Sequence, residues 1–239
     1  MERIDNWLWL DKAQTASTND DALTMCADMS SAKFIVSARE QTSGRGRRGR
    51  TWVSLKGNLF FSLALPFVSQ NVGQLVCLTA ISLLQTISEL DKNKKIQIKW
   101  PNDVLLEDKK ISGILLEKGK NDYFIIGVGV NLEASPAENI LYPTTNLKAE
   151  GINIDRLTFL RSYIRCFDEN LGMLAKEGFE PFKQQWMKSA KGINEKIAIK
   201  TETTELYGKY IGIGDLGELL LADCGQIKKI YAGDIFFEG

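Results

Sequence analysis

Apolar and polar residues alternate along this chain in two rhythms, and each rhythm predicts a set of elements. Leu75, Leu78, Leu83 and Ile87 stand at helical spacing, which predicts a helix from Leu75 to Leu90. Asp155 to Leu174 and Glu177 to Trp186 read as two more helices, with Pro181 close enough to the start of the second to be tolerated in its first turn. Ser17 and Thr18 precede the periodic stretch Ala22, Leu23, Met25 and Cys26, and Asp20 and Asp21 follow three residues after each, the signature of a helix N-terminus. Strand patterns cover Lys33 to Ala38, Asn58 to Leu65, Ile96 to Trp100, Lys110 to Lys118 and Tyr123 to Val130, the last three separated by the turn-prone PND, EDKK and GKND clusters. Strands so close together, with no helix between them, pair antiparallel. From Glu195 to Glu238 only short strand-like runs remain, IAIKT, LYGKYIGI, ELLLAD, IKKIYA and DIFFE, with glycine at the joins. That spacing predicts a small barrel and a boundary near Lys191 to Asn194, dividing the chain into units 1–190 and 191–239. The class expected is α+β.

Composition narrows the chemistry. A chain of 239 residues, 44% hydrophobic and 25% charged, can bury one sizeable core and a small second unit. Thirty Lys and Arg balance thirty Asp and Glu, so whole-chain charge draws it neither to nucleic acid nor to an anionic membrane. Cys26, Cys77, Cys166 and Cys224 lie far apart with no CxxC pair, and they read as reduced core thiols. No secretory signal pattern and no run of ~20 apolar residues is present, which gives a cytoplasmic expectation. Histidine is absent, which removes Ser/His/Asp and Cys/His hydrolysis and imidazole-ligated metals.

One local cluster departs from this balance. GRGRRGR, from Gly44 to Arg50, holds four arginines among three glycines. It satisfies GxGxxG literally and nearly satisfies a P-loop. Both motifs work by opening a helix whose amides hold phosphate, and here the strand-like TWVSLKGNLFFSLAL follows. What remains is an anion-binding loop: guanidinium forks pair with phosphate or carboxylate, and glycines let the backbone come close. Four like charges repel, so such a loop is expected to be mobile until an anion orders it. A solvated basic loop and an arginine-rich RNA-binding segment fit the same residues.

The loop has companions. Ser17-Thr18-Asn19, EQTSGRGRRGRTW from Glu40 to Trp52, KWPNDV from Lys99, KISGILLE from Lys110 and GVGVNL from Gly127 occur in this order. In order and spacing they resemble the biotin protein ligases, over nearly the whole chain. The resemblance implies a mixed sheet like that of class II aminoacyl-tRNA synthetases, with flanking helices and an SH3-like C-terminal barrel. It implies that Ser17, Thr18 and Asn19 bind the ureido head of biotin, that Gln41 and the Gly44-Arg45-Gly46 backbone contact biotin, and that Arg47 reaches its carboxylate and the phosphate under attack. Arg48, Arg50, Trp52, Asn102, Asp103 and Asn131 fall on the ATP side, with Trp52 beside the adenine, and Lys110 against the biotin carboxyl group. Each has a plainer alternative: a helix cap for Ser17, core packing for Trp52, a turn for Pro-Asn-Asp, a surface position for Lys110 or its neighbour Lys109. Gly127 and Gly129 suggest a close backbone approach.

The implied reaction suits a chain without histidine. The biotin carboxylate attacks the α-phosphate of ATP, with Mg²⁺ expected beside the phosphates, and the enzyme supplies positive charge rather than a nucleophile. The biotinyl-adenylate then passes to a lysine of a biotin carboxyl-carrier domain. Motifs starting at residue 17 leave no room for the DNA-binding unit of some family members, so no repressor activity is expected. A homodimer stays open, and a lipoate-type ligase or acyltransferase of the same fold is the nearest rival.

Overall fold

A computed structural model describes residues 1–29, 31–66, 71–137 and 142–237. Eight strands make the main sheet: β1 (Glu2–Ile4), β2 (Trp7–Lys12), β3 (Phe34–Ala38), β4 (Leu59–Pro66), β5 (Ile96–Lys99), β6 (Asp103–Leu106), β7 (Lys109–Lys118) and β8 (Tyr123–Val130). Their order is β1-β2-β3-β4-β8-β7-β6-β5. Among the strands of the described residues only β2 and β3 pair in parallel, and helix α1 (Thr18–Met25) makes the crossover that a parallel pair needs. The meander from β5 to β8 is antiparallel, as the close strand spacing predicted.

The pattern of the sequence missed three strands. β1 and β2 form a hairpin turned at Asp5, whose φ is +48°, and β6 is four residues long between two turns. A short strand offers too few alternations for a period of two to show.

Helices α2 (Val72–Leu90), α3 (Arg156–Glu177) and α4 (Glu180–Ser189) start and stop within a few residues of expectation. Asn71 and Asp155 cap α2 and α3 by accepting from backbone amides, and Pro181 sits in the first turn of α4. By length and composition α2 could cross a membrane, but it lies in the core, packed on α3, α4, β5 and β7.

Five strands follow: β9 (Lys196–Lys200), β10 (Glu205–Ile213), β11 (Leu219–Asp223), β12 (Gln226–Ile230) and β13 (Asp234–Phe237). The last run, DIFFE, extends to Glu238, which lies outside the described residues. The order β12-β11-β10-β9-β13 is an antiparallel ladder with β12 and β13 as its ends, and no pairing among the described residues closes it into a barrel. One apolar core runs through both sheets and includes Leu78, Ile98, Ile199, Tyr210 and Leu219. The Trp186 indole donates to the Tyr210 hydroxyl at 2.6 Å, and the Trp100 indole donates to the Gly217 carbonyl at 3.2 Å, which ties the C-terminal sheet down. Cys26, Cys77 and Cys166 are buried as expected of core thiols, whereas Cys224 is exposed in the turn from β11 to β12, where its φ is +47°.

Candidate active site

Alternate residues of β4, β8 and β7 face opposite sides of the sheet. One set, with Leu59, Phe61, Leu63, Ile126, Val128, Val130 and Ile114, joins the core. On the other face Ser62 pairs with Gly127, and Gly129 pairs with Gly113. These small residues leave room for a cleft of about 950 Å³, beside which α1 lies on β3 and β4. The glycines are needed for side chains. A Cβ at Gly127 would collide with Asn19, one at Gly129 with the indole of Trp52, and one at Gly113 would stand 2.8 Å from the same indole. What approaches Gly127 and Gly129 is therefore Asn19 and Trp52.

At one end of the cleft stands the N-terminus of α1. Ser17 is its cap, accepting from the Asp20 amide, and also lines the cleft. The Thr18 amide donates to Gln41 Oε1 at 2.9 Å, and the Thr18 hydroxyl lies 3.2 Å from the same oxygen. Ser62 Oγ is 2.8 Å from Thr18 Oγ1 and 2.5 Å from Asn19 Oδ1, and Asn19 donates to Glu117 at 2.6 Å. The result is a buried set of hydroxyls and amides able both to donate and to accept, suited to a small polar head with a carbonyl and N–H groups.

The arginine loop covers the cleft. It makes a single 3-10 turn at Arg47–Gly49, with no helix after it, so the two rejected nucleotide motifs are absent. Gly46 N donates to Arg50 O at 2.6 Å, Trp52 N donates to Gly44 O at 2.9 Å, and Arg48 and Gly49 take φ of +55° and +69°. Gly44 does not line the cleft; a Cβ there would stand 2.6 Å from the Trp52 carbonyl, so its role is tight packing. Protein acceptors meet all four arginines. Arg45 pairs with Asp20 at 2.5 Å and Glu117 at 3.3 Å, Arg48 and Arg50 pair with Asp234 at 3.2 and 2.5 Å, and Arg47 donates to Asn102 Oδ1 at 3.3 Å. The repulsion that predicted a mobile empty loop is offset here by three carboxylates distant in sequence.

Lys110 faces Asp103 across the floor, Nζ to Oδ1 2.6 Å, and lies 5.5 Å from the centroid of the Trp52 ring. Lys109 points elsewhere, to Glu150 at 3.6 Å. Asn102 lies in the turn between β5 and β6 and lines the cleft, holding the Ile114 carbonyl at 2.6 Å, so Pro-Asn-Asp is both a turn and part of the site. Asn131 lines the cleft too, but its amide is engaged in structure, donating to Thr145 O at 3.0 Å and accepting from Asn58 at 3.5 Å.

Burial lowers the Arg47 guanidinium below its ordinary value, with the charges of Arg48 and Arg50 adding to the effect against Asp234 and Asp103. Burial likewise lowers Lys99, which sits 4.2 Å from the centroid of the Tyr142 ring. Burial alone would raise the Asp234 carboxyl; the Arg50 hydrogen bond and the nearby arginine charges outweigh it and hold it below the usual carboxylate range. Cations of reduced solvation facing a closed space bind polyanions more strongly than they would in water.

Among the described residues no group of three histidines, cysteines or carboxylates could hold a metal. The carboxylates lining the cleft, Asp103 and Asp234, are both paired with cations. The donor set fits Mg²⁺ only as an ion brought with phosphate oxygens, which needs one or two protein carboxylates.

Ser62, Glu117, Lys99, Tyr142 and Asp234 escaped the reading of the sequence. Lys99 and Glu117 lay inside the quoted KWPNDV and KISGILLE segments, and Ser62 was the one polar residue between Leu59 and Leu65. Asp234 carried no signal, standing 184 residues from Arg50.

A family model described as the biotin/lipoate A/B protein ligase family matches residues 13–131, and one for the biotin protein ligase C-terminal domain matches 192–238. A Paracoccus denitrificans protein named biotin--[acetyl-CoA-carboxylase] ligase is 34% identical over 239 residues, covering 95% of this chain and 99% of its own. The bifunctional ligase/repressor BirA of Bacillus subtilis is 36% identical over 231 residues, covering 92% of this chain and 71% of its own. A biotin protein ligase from Aquifex aeolicus, solved in complex with biotin and ATP, superposes with a TM-score of 0.83 at 28% identity over 96% of this chain and 97% of its own.

Proposed function

The chain belongs to the biotin protein ligases, and from that premise we propose that its cleft activates biotin with ATP to biotinyl-5′-AMP and passes biotin to a lysine of a carboxyl-carrier protein. The observation that carries this reading is the convergence of Arg47 and Lys110 on one cleft with the polar Ser17–Asn19 corner at its end. Ser17, Thr18, Asn19 and Gln41 take the ureido head, helped by Ser62. Arg45 and Gly46 close over biotin, with Gly44 packed behind them. Trp52, Asn102, Asp103 and Asn131 form the nucleotide side, and Arg48 and Arg50 stand at its mouth.

The biotin carboxylate is the nucleophile. It attacks the α-phosphorus, the bond to the bridging oxygen breaks, and pyrophosphate leaves with the electron pair. Negative charge gathers on the α-phosphoryl oxygens, where Arg47 and Lys110 meet it; preorganised donors of this kind are worth about 10²–10³ in rate each. Asp103 holds the Lys110 ammonium in place. Mg²⁺ belongs to the proposal as a companion of the triphosphate: Asp103 would help to hold it, and the ion would neutralise phosphate charge. The closed loop keeps water from the mixed anhydride until the acceptor amine attacks its carbonyl and AMP leaves.

The acceptor is proposed on the name of the Paracoccus relative, a ligase for acetyl-CoA carboxylase. Neither DNA nor a membrane enters the reading, in keeping with 30 basic against 30 acidic residues, and the compartment proposed is the cytoplasm. Residues 191–239 are taken as the second unit, and self-association stays open. The test is transfer of labelled biotin to a carboxyl-carrier domain by wild type and Arg47→Gly. The wild type should biotinylate one lysine, and the variant should form adenylate more slowly and lose what it forms to solvent. Activation of lipoate without biotin would overturn the reading.

A further inference from the structure

The two ends of the arginine loop are held from different parts of the molecule. Arg45 is tied to Asp20 of α1 and Glu117 of β7. Arg48 and Arg50 are tied to a single oxygen, Oδ2 of Asp234, on the terminal strand β13 of the C-terminal sheet. The turn between them, with positive φ at Arg48 and Gly49, brings both guanidinium groups to that one oxygen. Among the described residues Arg47, between the two anchors, has no carboxylate in ion-pair range; its partner is the neutral amide oxygen of Asn102.

We propose that Asp234 is a positioning residue for biotin activation: it latches the loop through Arg48 and Arg50, so that Arg47 is the loop arginine left free for the reacting phosphoryl group. Asp234 suits the task because its backbone is fixed by pairing with Lys200 of β9, and its carboxylate is partly buried at the wall of the cleft. A charge-assisted contact in such a place is stronger than one in open solvent. The latch also gives the C-terminal sheet a direct part in the reaction. The proposal rests on the ligase reading for the reaction it serves, while the latch itself can be judged without any substrate.

The experiment compares the full chain as wild type, Asp234→Asn, Asp234→Glu, the double variant Arg48→Gln/Arg50→Gln, and the triple variant with Asp234→Asn. Amide exchange at Gly46, Arg50 and Trp52 is followed without substrates. Asp234→Asn should speed it roughly tenfold or more, since two charge-assisted hydrogen bonds are weakened, with β9 to β11 unchanged. The glutamate should restore protection in part. The double variant should match Asp234→Asn, and the triple should add nothing, because all remove the same contact. In parallel, pyrophosphate released per biotin transferred should rise in Asp234→Asn as adenylate escapes to water. Unchanged loop exchange in Asp234→Asn, or additive effects in the triple variant, would overturn the latch. Exchange speeding equally through β9 to β11 would also overturn it, as a general loosening of the C-terminal sheet. If wild type activates lipoate and not biotin, the ligase reading fails while the exchange data still decide the latch.

Discussion

On one face of β4, β8 and β7 stand Phe61, Leu63, Ile126, Val128 and Ile114; on the other, at alternate positions of the same strands, stand Ser62, Gly127, Gly129 and Gly113. Hydrogen bonding along the ladder serves both faces equally. The side chains divide the work. The first face excludes water under α2 and α3, and its Phe61 ring lies 5.1 Å from that of Tyr163. The second forgoes that burial to leave space, and the space is lined by Trp52, Asn19 and Lys110. Glycine in a strand interior costs stability, so the run of small residues is explained by what must fit above it.

The division can be broken at either face. Phe61→Ala should lower unfolding free energy by about 3–5 kcal/mol, a fully buried ring lost to a cavity. Urea denaturation measures this, and the adenylation rate per folded molecule should be unchanged; a matching loss of rate would mean that the faces are not separable. Lys110→Ala, on the cleft side, should do the reverse. Adenylate formation should fall about 10²–10³-fold, with a much smaller shift of the urea midpoint, and a rate within twofold of wild type would remove Lys110 from the chemistry. Gly127→Ala should be milder, weakening biotin binding by about 1–3 kcal/mol as the new methyl displaces Asn19. Calorimetric titration with biotin decides it, and unchanged affinity would show that the approach of Asn19 to the sheet is not needed.

The smallest effect concerns pH. Burial raises the Cys166 thiol of α3 to about 11, so it stays protonated and unreactive at pH 8, and thiolate gathers only as pH climbs toward that value. Alkylation of the native protein between pH 7 and 9 should therefore modify the exposed Cys224 and leave Cys166 untouched, as peptide mass mapping would show. Early modification of Cys166 would mean that the apolar side opens readily.

Much of this was legible in the chain. Helical spacing located α2, α3 and α4, Ser17 marked the start of α1, and turn clusters separated β5, β7 and β8. Thirteen of the residues assigned a site role from the sequence line the cleft: Ser17, Thr18, Asn19, Gln41, Arg45, Gly46, Arg47, Arg50, Trp52, Asn102, Asp103, Lys110 and Asn131. Gly44 and Arg48 were placed behind and beside it. Local signals showed the helix start at Ser17 and the arginine loop, because caps and clustered charge act over a few residues; the roles of Gln41, Trp52, Asn102, Asp103, Lys110 and Asn131 came from the family resemblance.

What the sequence by itself determined is the inventory: strands with one apolar face, a glycine-rich face opposite, a cluster of arginines, and no histidine. What only the tertiary structure decided is the pairing of that inventory. Glu117 and Asp234 meet the arginine loop from 72 and 184 or more residues away, Trp52 settles over Gly129, and one lysine of the adjacent pair turns inward to Asp103 while the other turns out to Glu150. Such contacts depend on strand register and on how two sheets share one core. Both are set by burial summed over the whole chain, which no local window of residues contains.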